Sequence, residues 1–244
     1  MIQSLHNGMS VKGINDIQTI QTLYHEFLTG KTYDWWHKVQ PGDIVMDLGA
    51  CNGMFTCQAL DMGASKVYAV EANPELCETI LINAMPHIKN KAVSPVSITN
   101  CFVGDVKDFA FGDFDLDKVP ARPFMDLIKD YDIDHLDFLK IDCEGGEFSV
   151  FTDENIDWIV QNVTHIAVEF HMNISEDAVE KYKHIRNVLF KKFPRTHWKI
   201  NYRDNNHRIK ANDDEWLDTI EVGKDQWGTT WMTYITNYKK TGKK

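Results

Sequence analysis

The segment DLGACNG, residues 47–53, decides how the chain is interpreted. It follows a short apolar run, residues 43–48, that is typical of a buried β-strand. Gly49 and Gly53 let the backbone bend sharply and let a ligand approach closely. Their G-x-x-x-G spacing differs from the G-x-G-x-x-G spacing that seats a dinucleotide pyrophosphate. The segment therefore predicts a ligand-binding turn at the end of a strand, of a kind other than the dinucleotide site.

Strand-like and helix-like patterns alternate on the C-terminal side of this segment. Strands are predicted at residues 43–48, 66–71, 96–103, 137–141 and 165–170, and helices at 54–63, 74–87 and 176–191. Two more strand-like runs, 196–202 and 229–236, have no strong helical pattern between them, and 109–114 is a candidate hairpin. The alternation predicts an α/β fold with a mostly parallel seven-stranded sheet, an antiparallel C-terminal edge and helices on both faces.

The N-terminal region has a different pattern. Apolar residues recur at helical spacing between Ile17 and Leu28, and Gly30 is a plausible helix end. No linker rich in proline, glycine or serine divides the rest of the chain. We expect a helical extension, residues 1–40, that packs on one globular domain, residues 41–244.

Composition argues against several classes of protein. The 244 residues carry 26 Lys and Arg against 36 Asp and Glu, a net charge of −10, which disfavours nucleic-acid binding through overall charge. No apolar run approaches the ~20 residues of a membrane helix, and no signal peptide is visible. The five cysteines are scattered without a Cys-x-x-Cys pair, which favours reduced thiols in the cytoplasm. Nothing in the sequence indicates the oligomeric state.

An acidic residue at the next strand end extends the predicted ligand site. Glu71 ends the run KVYAVE and can accept both hydroxyls of a ribose, whereas Asp47 suits a ligand with an ammonium and a sulfonium. Together they predict an S-adenosylmethionine site, the alternative being that both acids only cap turns. The adenine is expected near Asn100 and Cys101, which follow the third predicted strand. The predicted cofactor contacts are Asp47, Gly49, Ala50, Cys51, Asn52, Gly53, Phe55, Glu71, Ala72, Asn73, Asn100, Cys101 and Asp142.

A second group of polar residues lies at the ends of the fourth and fifth predicted strands. Its members, the candidate catalytic residues, are Lys140, Asp142, Glu144, Glu169 and His171. An alkyl hydroxyl needs a base or a metal to lose its proton during methyl transfer, and Asp142 or His171 is the best candidate base. A structural alternative pairs Lys140 with Asp142 and places Glu147 in the first turn of a helix.

A divalent metal is a further alternative for this group. Asp142, Glu144, Glu169 and His171 offer oxygen and nitrogen ligands that suit Mg²⁺ or Mn²⁺. The same side chains serve equally well without an ion, so the sequence favours the version without a metal.

Four motifs, taken in order, resemble the FkbM-type S-adenosylmethionine-dependent methyltransferases. They are DLGACNGMFT (47–56), VEANPE (70–75), DFLKIDCEGGEF (137–148) and VEFH (168–171), within a resemblance that spans about residues 24 to 200. The most specific is the KIDxEGxE block, in which Cys143 stands where the family usually has a small aliphatic residue.

The resemblance implies a class I methyltransferase fold and, commonly, O-methylation of sugar or polyketide hydroxyls. The predicted function is O-methylation of a sugar, a glycan or a related small molecule. The alternatives are a methyltransferase that acts on nucleic acid or protein, and an NAD-dependent oxidoreductase. The missing G-x-G-x-x-G disfavours the oxidoreductase. A nucleic-acid acceptor is disfavoured by the net charge and by Asp-Cys-Glu-Gly standing where an N/D-P-P-Y/F block would be expected.

Overall fold

Strands and helices alternate in the computed structural model, which describes residues 3–4, 10–11, 32–34, 37–88, 94–104, 116–192, 199–201, 217–218, 220, 222 and 230–237. The strands are β1 (Gln3–Ser4), β2 (Ser10–Val11), β3 (Ile44–Leu48), β4 (Lys66–Glu71), β5 (Val96–Asn100), β6 (Phe102–Val103), β7 (Ala121–Arg122), β8 (Leu136–Ile141), β9 (Val163–His171), β10 (Lys199–Asn201) and β11 (Thr230–Thr236). The helices are α1 (Met54–Asp61), α2 (Pro74–Ala84), α3 (Phe124–Asp130), α4 (Glu147–Val150), α5 (Asp153–Asn162) and α6 (Ala178–Lys192), with 3-10 turns at Met85–His87 and Leu116–Lys118.

The main sheet has the strand order β10-β11-β9-β8-β3-β4-β5. Strand β4 runs parallel to β3 and β5, whereas β11 is antiparallel to both β9 and β10. This mixed sheet confirms the predicted α/β fold with an antiparallel C-terminal edge. The sheet contains seven strands among the described residues; six of them have five or more residues, and β10 is a three-residue strand at the edge.

The chain divides into two compact units. Unit 1 comprises Met1–Phe102, Gly112–Ala121 and Asp137–Lys140, and unit 2 comprises Val103–Phe111, Arg122–Leu136 and Ile141–Lys244. In unit 1, α1 packs on β3 and β4, and α2 packs on β4 and β5. The alanines of the strand and turn admit this close packing, since Ala50, Ala69 and Ile80 form one buried cluster with Ile98 against it. The predicted domain boundary near residue 40 stays a prediction.

Unit 2 is organised around β9. Strand β11 pairs with β9 over seven residues, from Thr230 opposite His171 to Thr236 opposite His165. Helices α4 and α5 pack on β9, and both also contact α6. Phe170 fills the core, with its ring centroid 5.1 Å from that of Tyr182 and 5.6 Å from that of Phe151.

Local sequence signals locate most elements to within a few residues. The predicted start of α2 is confirmed, because Pro74 opens the helix and the Asn73 side chain accepts a hydrogen bond from the Glu75 N–H at 2.9 Å. The third predicted strand is interrupted after Asn100, and β6 pairs with β7 in a separate two-stranded sheet. The predicted helix at 17–28 and the hairpin at 109–114 lie outside the described residues. No described helix combines the length and the apolar character that a membrane span requires.

Candidate functional site

The turn after β3 is held against the end of β4. The Gly49 N–H donates to the Val70 carbonyl at 2.9 Å. Gly49, Cys51 and Gly53 all have positive φ, at 72°, 51° and 83°. The φ of Gly53 favours glycine, and a Cβ atom there would also press on Ile80, whose Cα would lie 3.2 Å away.

Glu71, at the end of β4, binds this turn through both carboxylate oxygens. Its Oε2 accepts the Cys51 N–H and its Oε1 accepts the Asn73 N–H, each at 2.8 Å. Burial raises the pKa of Glu71 to about 7, although these two hydrogen bonds and the charge of Lys140 oppose the rise. Since each carboxylate oxygen has two lone pairs, Glu71 can accept further hydrogen bonds from ligand hydroxyls.

The end of β5 is tied to the end of β4. The Asn100 side-chain amide donates to the carbonyls of Glu71 and Ala72, at 3.0 and 2.7 Å. The Cys101 N–H donates to the same Glu71 carbonyl at 3.1 Å. These bonds bring four predicted cofactor residues together within unit 1: Glu71, Ala72, Asn100 and Cys101.

Asn52, inside the turn, is buried with one donor unsatisfied. Its backbone carbonyl accepts the Asn83 side-chain amide at 2.8 Å. Its own side-chain Nδ2 has no hydrogen-bond partner among the described residues. A buried donor without a partner is costly, so this atom suits an acceptor group of a ligand.

Lys140 supports the turn from β8. Its Nζ lies 3.2 Å from Asp47 Oδ1 and donates to the carbonyls of Gly49 at 2.6 Å and Leu48 at 3.3 Å. Lys140 and Asp47 are both fully buried. The sequence predicted Lys140 as a catalytic residue and did not identify Asp47 as its partner. In the structure, its ammonium group holds the backbone of the turn.

Asp47 and Phe55, two predicted cofactor contacts, are buried within unit 1. Asp47 Oδ2 accepts the Thr56 hydroxyl at 2.7 Å, so both carboxylate oxygens face protein groups. The Phe55 ring packs between Tyr33 and Phe138, with centroid distances of 5.8 and 5.5 Å. These side chains support the turn, and a direct contact with the cofactor stays a prediction.

Unit 2 carries a group of three side chains, Asp142, Glu144 and His171, called here the acid–histidine group. One ligand atom from each lies within 4.8 Å of the others. His171 Nε2 is 3.2 Å from Glu144 Oε2 and 3.9 Å from Asp142 Oδ1. Glu169, the other predicted member, is buried on β9 opposite Met232 and does not belong to this group.

A tight turn after β8 places the two acids. Glu144 and Gly145 both have positive φ, at 49° and 113°. A Cβ atom at Gly146 would lie 2.9 Å from the Cys143 Cβ and 3.0 Å from the Val103 carbonyl oxygen. Gly145 and Gly146, the two glycines that follow Glu144 in the KIDxEGxE block, are therefore required for the turn that brings Glu144 to His171.

Glu147 is the residue whose role the sequence did not predict. As predicted, it lies in the first turn of α4, but its fully buried carboxylate also binds His171. Its Oε1 accepts both the backbone N–H and the ring Nδ1 of His171, each at 2.7 Å, and its Oε2 accepts the Gly145 N–H at 2.8 Å. The only sequence signal was a second acid three residues after Glu144.

The charge of His171 is set by the surrounding acids. Burial by itself would lower the pKa of His171, but pairing with Glu147, Glu144 and Asp142 raises it to about 10. Without a metal ion, the ring is therefore an imidazolium at neutral pH. In that state it cannot accept a proton, and Asp142 becomes the better of the two predicted bases.

Comparison with known proteins gives a family match and a fold match. The sequence matches the methyltransferase FkbM domain over residues 47–203. The structure is similar to that of a methyltransferase FkbM from Methylobacillus flagellatus, with a TM-score of 0.51 and 15% identity. This alignment covers 91% of the chain and 56% of the other protein, so the chain spans little more than half of that protein's length.

Two further structures match at lower similarity. Fibrillarin from Aeropyrum pernix, which contains S-adenosyl-L-methionine, has a TM-score of 0.45 and 15% identity, with 88% of this chain and 74% of that chain covered. An O-methyltransferase from Bacillus cereus has a TM-score of 0.45 and 14% identity, with 91% and 82% covered. No curated protein sequence matches the chain.

Proposed function

The chain belongs to the methyltransferase FkbM domain family, and from this premise we propose that it is an S-adenosylmethionine-dependent O-methyltransferase. The proposed acceptor is a hydroxyl of a sugar, a glycan or a related small molecule. The observation that carries the proposal is the Glu71 carboxylate at the end of β4, held by the N–H groups of Cys51 and Asn73.

The residues of unit 1 fit this cofactor. Glu71 can accept the two ribose hydroxyls, because its carboxylate has lone pairs beyond the two that the backbone uses. The unpartnered Asn52 amide and the glycine turn offer a donor and space for close approach. When bound, the cofactor supplies the methyl group to the acceptor oxygen, and the carbon–sulfur bond breaks with its electron pair left on sulfur.

The acid–histidine group of unit 2 supplies what an alkyl hydroxyl requires. Such a hydroxyl is a poor nucleophile at neutral pH until a base or a cation assists loss of its proton. We assign that role to Asp142, with His171 charged and fixed by Glu147 beside it. A small or sugar acceptor, rather than nucleic acid, is supported by the net charge of −10.

Cofactor binding is the first test. Titration calorimetry with S-adenosylmethionine, S-adenosylhomocysteine, NAD and NADP should give saturable binding for the first two ligands only. Binding of NAD but not of S-adenosylmethionine would contradict the proposal.

The second test concerns the acceptor and Asp142. Release of S-adenosylhomocysteine is measured over a panel of sugars, glycans, polyketide alcohols, RNA and protein. On the acceptor that is used, Asp142→Asn should lower turnover by about 10²–10⁴-fold, as for a lost general base, with nearly unchanged cofactor affinity.

Asp153→Asn is the matched control for Asp142→Asn. It removes an exposed carboxylate of unit 2 that pairs with His184 outside the acid–histidine group, and it should keep full turnover. Wild-type turnover in Asp142→Asn would make the acid–histidine group structural. RNA or protein as the acceptor in use would replace the proposed substrate class.

We also propose that the protein works in the cytoplasm. None of the five cysteines, all of which the structure describes, is in a disulfide, which is consistent with a reducing compartment. Mass spectrometry of protein alkylated without prior reduction should find five modified cysteines. A native disulfide would contradict this location.

A further inference from the structure

The acid–histidine group has the composition and spacing of a metal site. Asp142 Oδ1 and Glu144 Oε2 lie 3.9 and 3.2 Å from His171 Nε2. Neighbouring ligands of an octahedral ion, each about 2.1 Å from it, are about 3 Å apart. One imidazole with two carboxylates is a donor set for borderline and hard divalent ions such as Mn²⁺ and Mg²⁺.

The orientation of His171 provides an independent indication. The ring is fixed from outside the group, because Nδ1 donates to Glu147 Oε1 at 2.7 Å. A metal-binding histidine typically donates its second ring nitrogen to a carboxylate in this way. In the neutral ring, this bond leaves the Nε2 lone pair facing the Glu144 carboxylate at 3.2 Å. Two acceptors in that position require a cation or a proton between them.

The supporting residue of the group is buried, and the two carboxylates that would bind a ligand are partly exposed. Glu147 is fully buried and satisfied by Gly145 and His171, so it acts as a rigid support. The Glu144 side chain is 41% exposed and that of Asp142 is 22% exposed, so solvent and ions can reach the group. The sequence favoured a version without a metal because the same side chains serve equally well without an ion; the bond between Glu147 and His171 is the additional observation from the structure.

We propose that Asp142, Glu144 and His171 bind a divalent cation of the Mn²⁺ or Mg²⁺ class, with Glu147 as the outer carboxylate that orients His171. Binding of the ion does not depend on the proposed function. Its role in turnover does depend on that function. With the ion bound, Asp142 and His171 would be ligands instead of a base and a charged ring. The cation would then assist loss of the acceptor hydroxyl's proton, and solvent would take that proton.

Manganese titration tests the proposal directly. The protein is dialysed against a chelator and titrated with Mn²⁺, and electron paramagnetic resonance measures the free ion. One saturable site per chain is expected. Asp142→Asn and Glu144→Gln should each weaken binding at least about tenfold, and Glu147→Gln by about 10–100-fold, as for the loss of an outer partner.

The matched control is an exposed histidine–carboxylate pair in the same unit. His184 Nε2 lies 2.9 Å from Asp153 Oδ1, and the double variant His184→Gln/Asp153→Asn should bind Mn²⁺ like the wild type. Glu144→Gln decides the outcome if the more buried variants fold poorly, because this side chain is substantially exposed. Circular dichroism confirms that each variant tested is folded.

Three outcomes would overturn the proposal: no saturable Mn²⁺ binding by the wild type, unchanged binding in Glu144→Gln, or loss of binding in the control. The first would leave a protonated His171 as the cation of the group. Calorimetry with S-adenosylmethionine on the metal-free protein separates the two proposals. Retained cofactor binding without Mn²⁺ binding would overturn the metal site alone, whereas lost cofactor binding would overturn the proposed function.

Discussion

Each unit contains a buried cation beside a buried carboxylate, and the two arrangements differ in what surrounds them. In unit 1, Lys140 donates to the carbonyls of Leu48 and Gly49 and forms an ion pair with Asp47, an arrangement called here the loop network. In unit 2, His171 has Glu147 on one ring nitrogen and two solvent-accessible carboxylates on the other.

The different surroundings of the two buried cations indicate that one pairing stabilises the backbone and the other can bind a ligand or a proton. A buried ion pair whose partners are all internal fixes the backbone, and its removal affects stability. A buried cation that faces accessible carboxylates can meet a ligand or a proton, and its removal affects binding or turnover. We therefore expect changes in the loop network to affect stability, and changes in the acid–histidine group to affect binding or turnover.

The largest expected loss of stability follows from Lys140→Met. This change leaves the Asp47 carboxylate buried without its cation, which should lower the free energy of unfolding by about 3–5 kcal/mol. Urea denaturation measures the loss. A loss below about 1 kcal/mol would show that the loop network is not a fixed ion pair.

Two further variants isolate the cause. Adding Asp47→Asn to Lys140→Met should restore much of the stability, since the uncompensated charge is then gone. Lys66→Met is the matched control on β4, where Lys66 is only partly buried, donates to the Ser97 hydroxyl at 2.7 Å and lies 5.3 Å from the Tyr68 ring centroid. Its effect should stay below about 1 kcal/mol.

The fold and the two regions of the site follow from local sequence patterns. Apolar runs predict β3, β4, β8 and β9, and the Asn73-Pro74 pair predicts the start of α2, because these signals are set by neighbouring residues. Sequence order also predicts that acids lie at strand ends. It does not predict that Lys140 pairs with Asp47, 93 positions away, because only the sheet brings them together.

The role of Glu147 was missed for a related reason. Its position in the first turn of a helix is a sufficient local explanation for an acid there. Its bond to His171 depends on two consecutive positive φ angles, at Glu144 and Gly145, that a sequence pattern does not specify. The short α3 and the two-residue strand β7 were missed because they contain too few residues to show a period, and β6 was predicted only as the end of a longer strand, residues 96–103.

Glu71 combines a structural contact with a predicted ligand contact. Its carboxylate binds the turn of unit 1 and has lone pairs left for a ligand. Glu71→Ala should weaken the binding of S-adenosylmethionine by about 1.5–3 kcal/mol, the value of hydrogen bonds to a charged group. Calorimetry measures this change. Unchanged affinity would remove Glu71 from the cofactor site and leave it as a support for the turn, like Asp47.

The pKa of Glu71 predicts a pH dependence with a definite sign. The native carboxyl group titrates at about 7 and the unfolded one near its ordinary value of 4.5, so the native state binds more protons between these pH values. The free energy of unfolding should therefore fall as pH rises through this window, by about 1.4 kcal/mol per pH unit at most. Glu71→Gln should remove this part of the slope, and an unchanged slope would contradict it.

Cofactor affinity should have the opposite pH dependence. Ribose hydroxyls donate to the ionised carboxylate, so affinity should rise by up to about tenfold per pH unit below 7 and then level off. Calorimetry between pH 6 and 8 measures this rise. The Glu71→Gln variant should show no such rise, which separates the Glu71 titration from other pH effects.

The smallest predicted effect compares a helix cap in each unit. The Asn73 side chain caps α2 through the Glu75 N–H at 2.9 Å, and the Thr152 hydroxyl caps α5 through the Asn155 N–H at 3.2 Å. Replacing either by alanine should lower the free energy of unfolding by about 0.5–2 kcal/mol, since each removes one cap. Only Asn73→Ala should also weaken S-adenosylmethionine binding, because the Asn73 N–H holds Glu71 Oε1 at 2.8 Å and the cap fixes that backbone. Denaturation and calorimetry on both variants measure the two effects. If both variants bind S-adenosylmethionine with the same affinity, the Glu71 carboxylate keeps its position without the Asn73 cap. The loop network would then be the structural support on which the cofactor site depends.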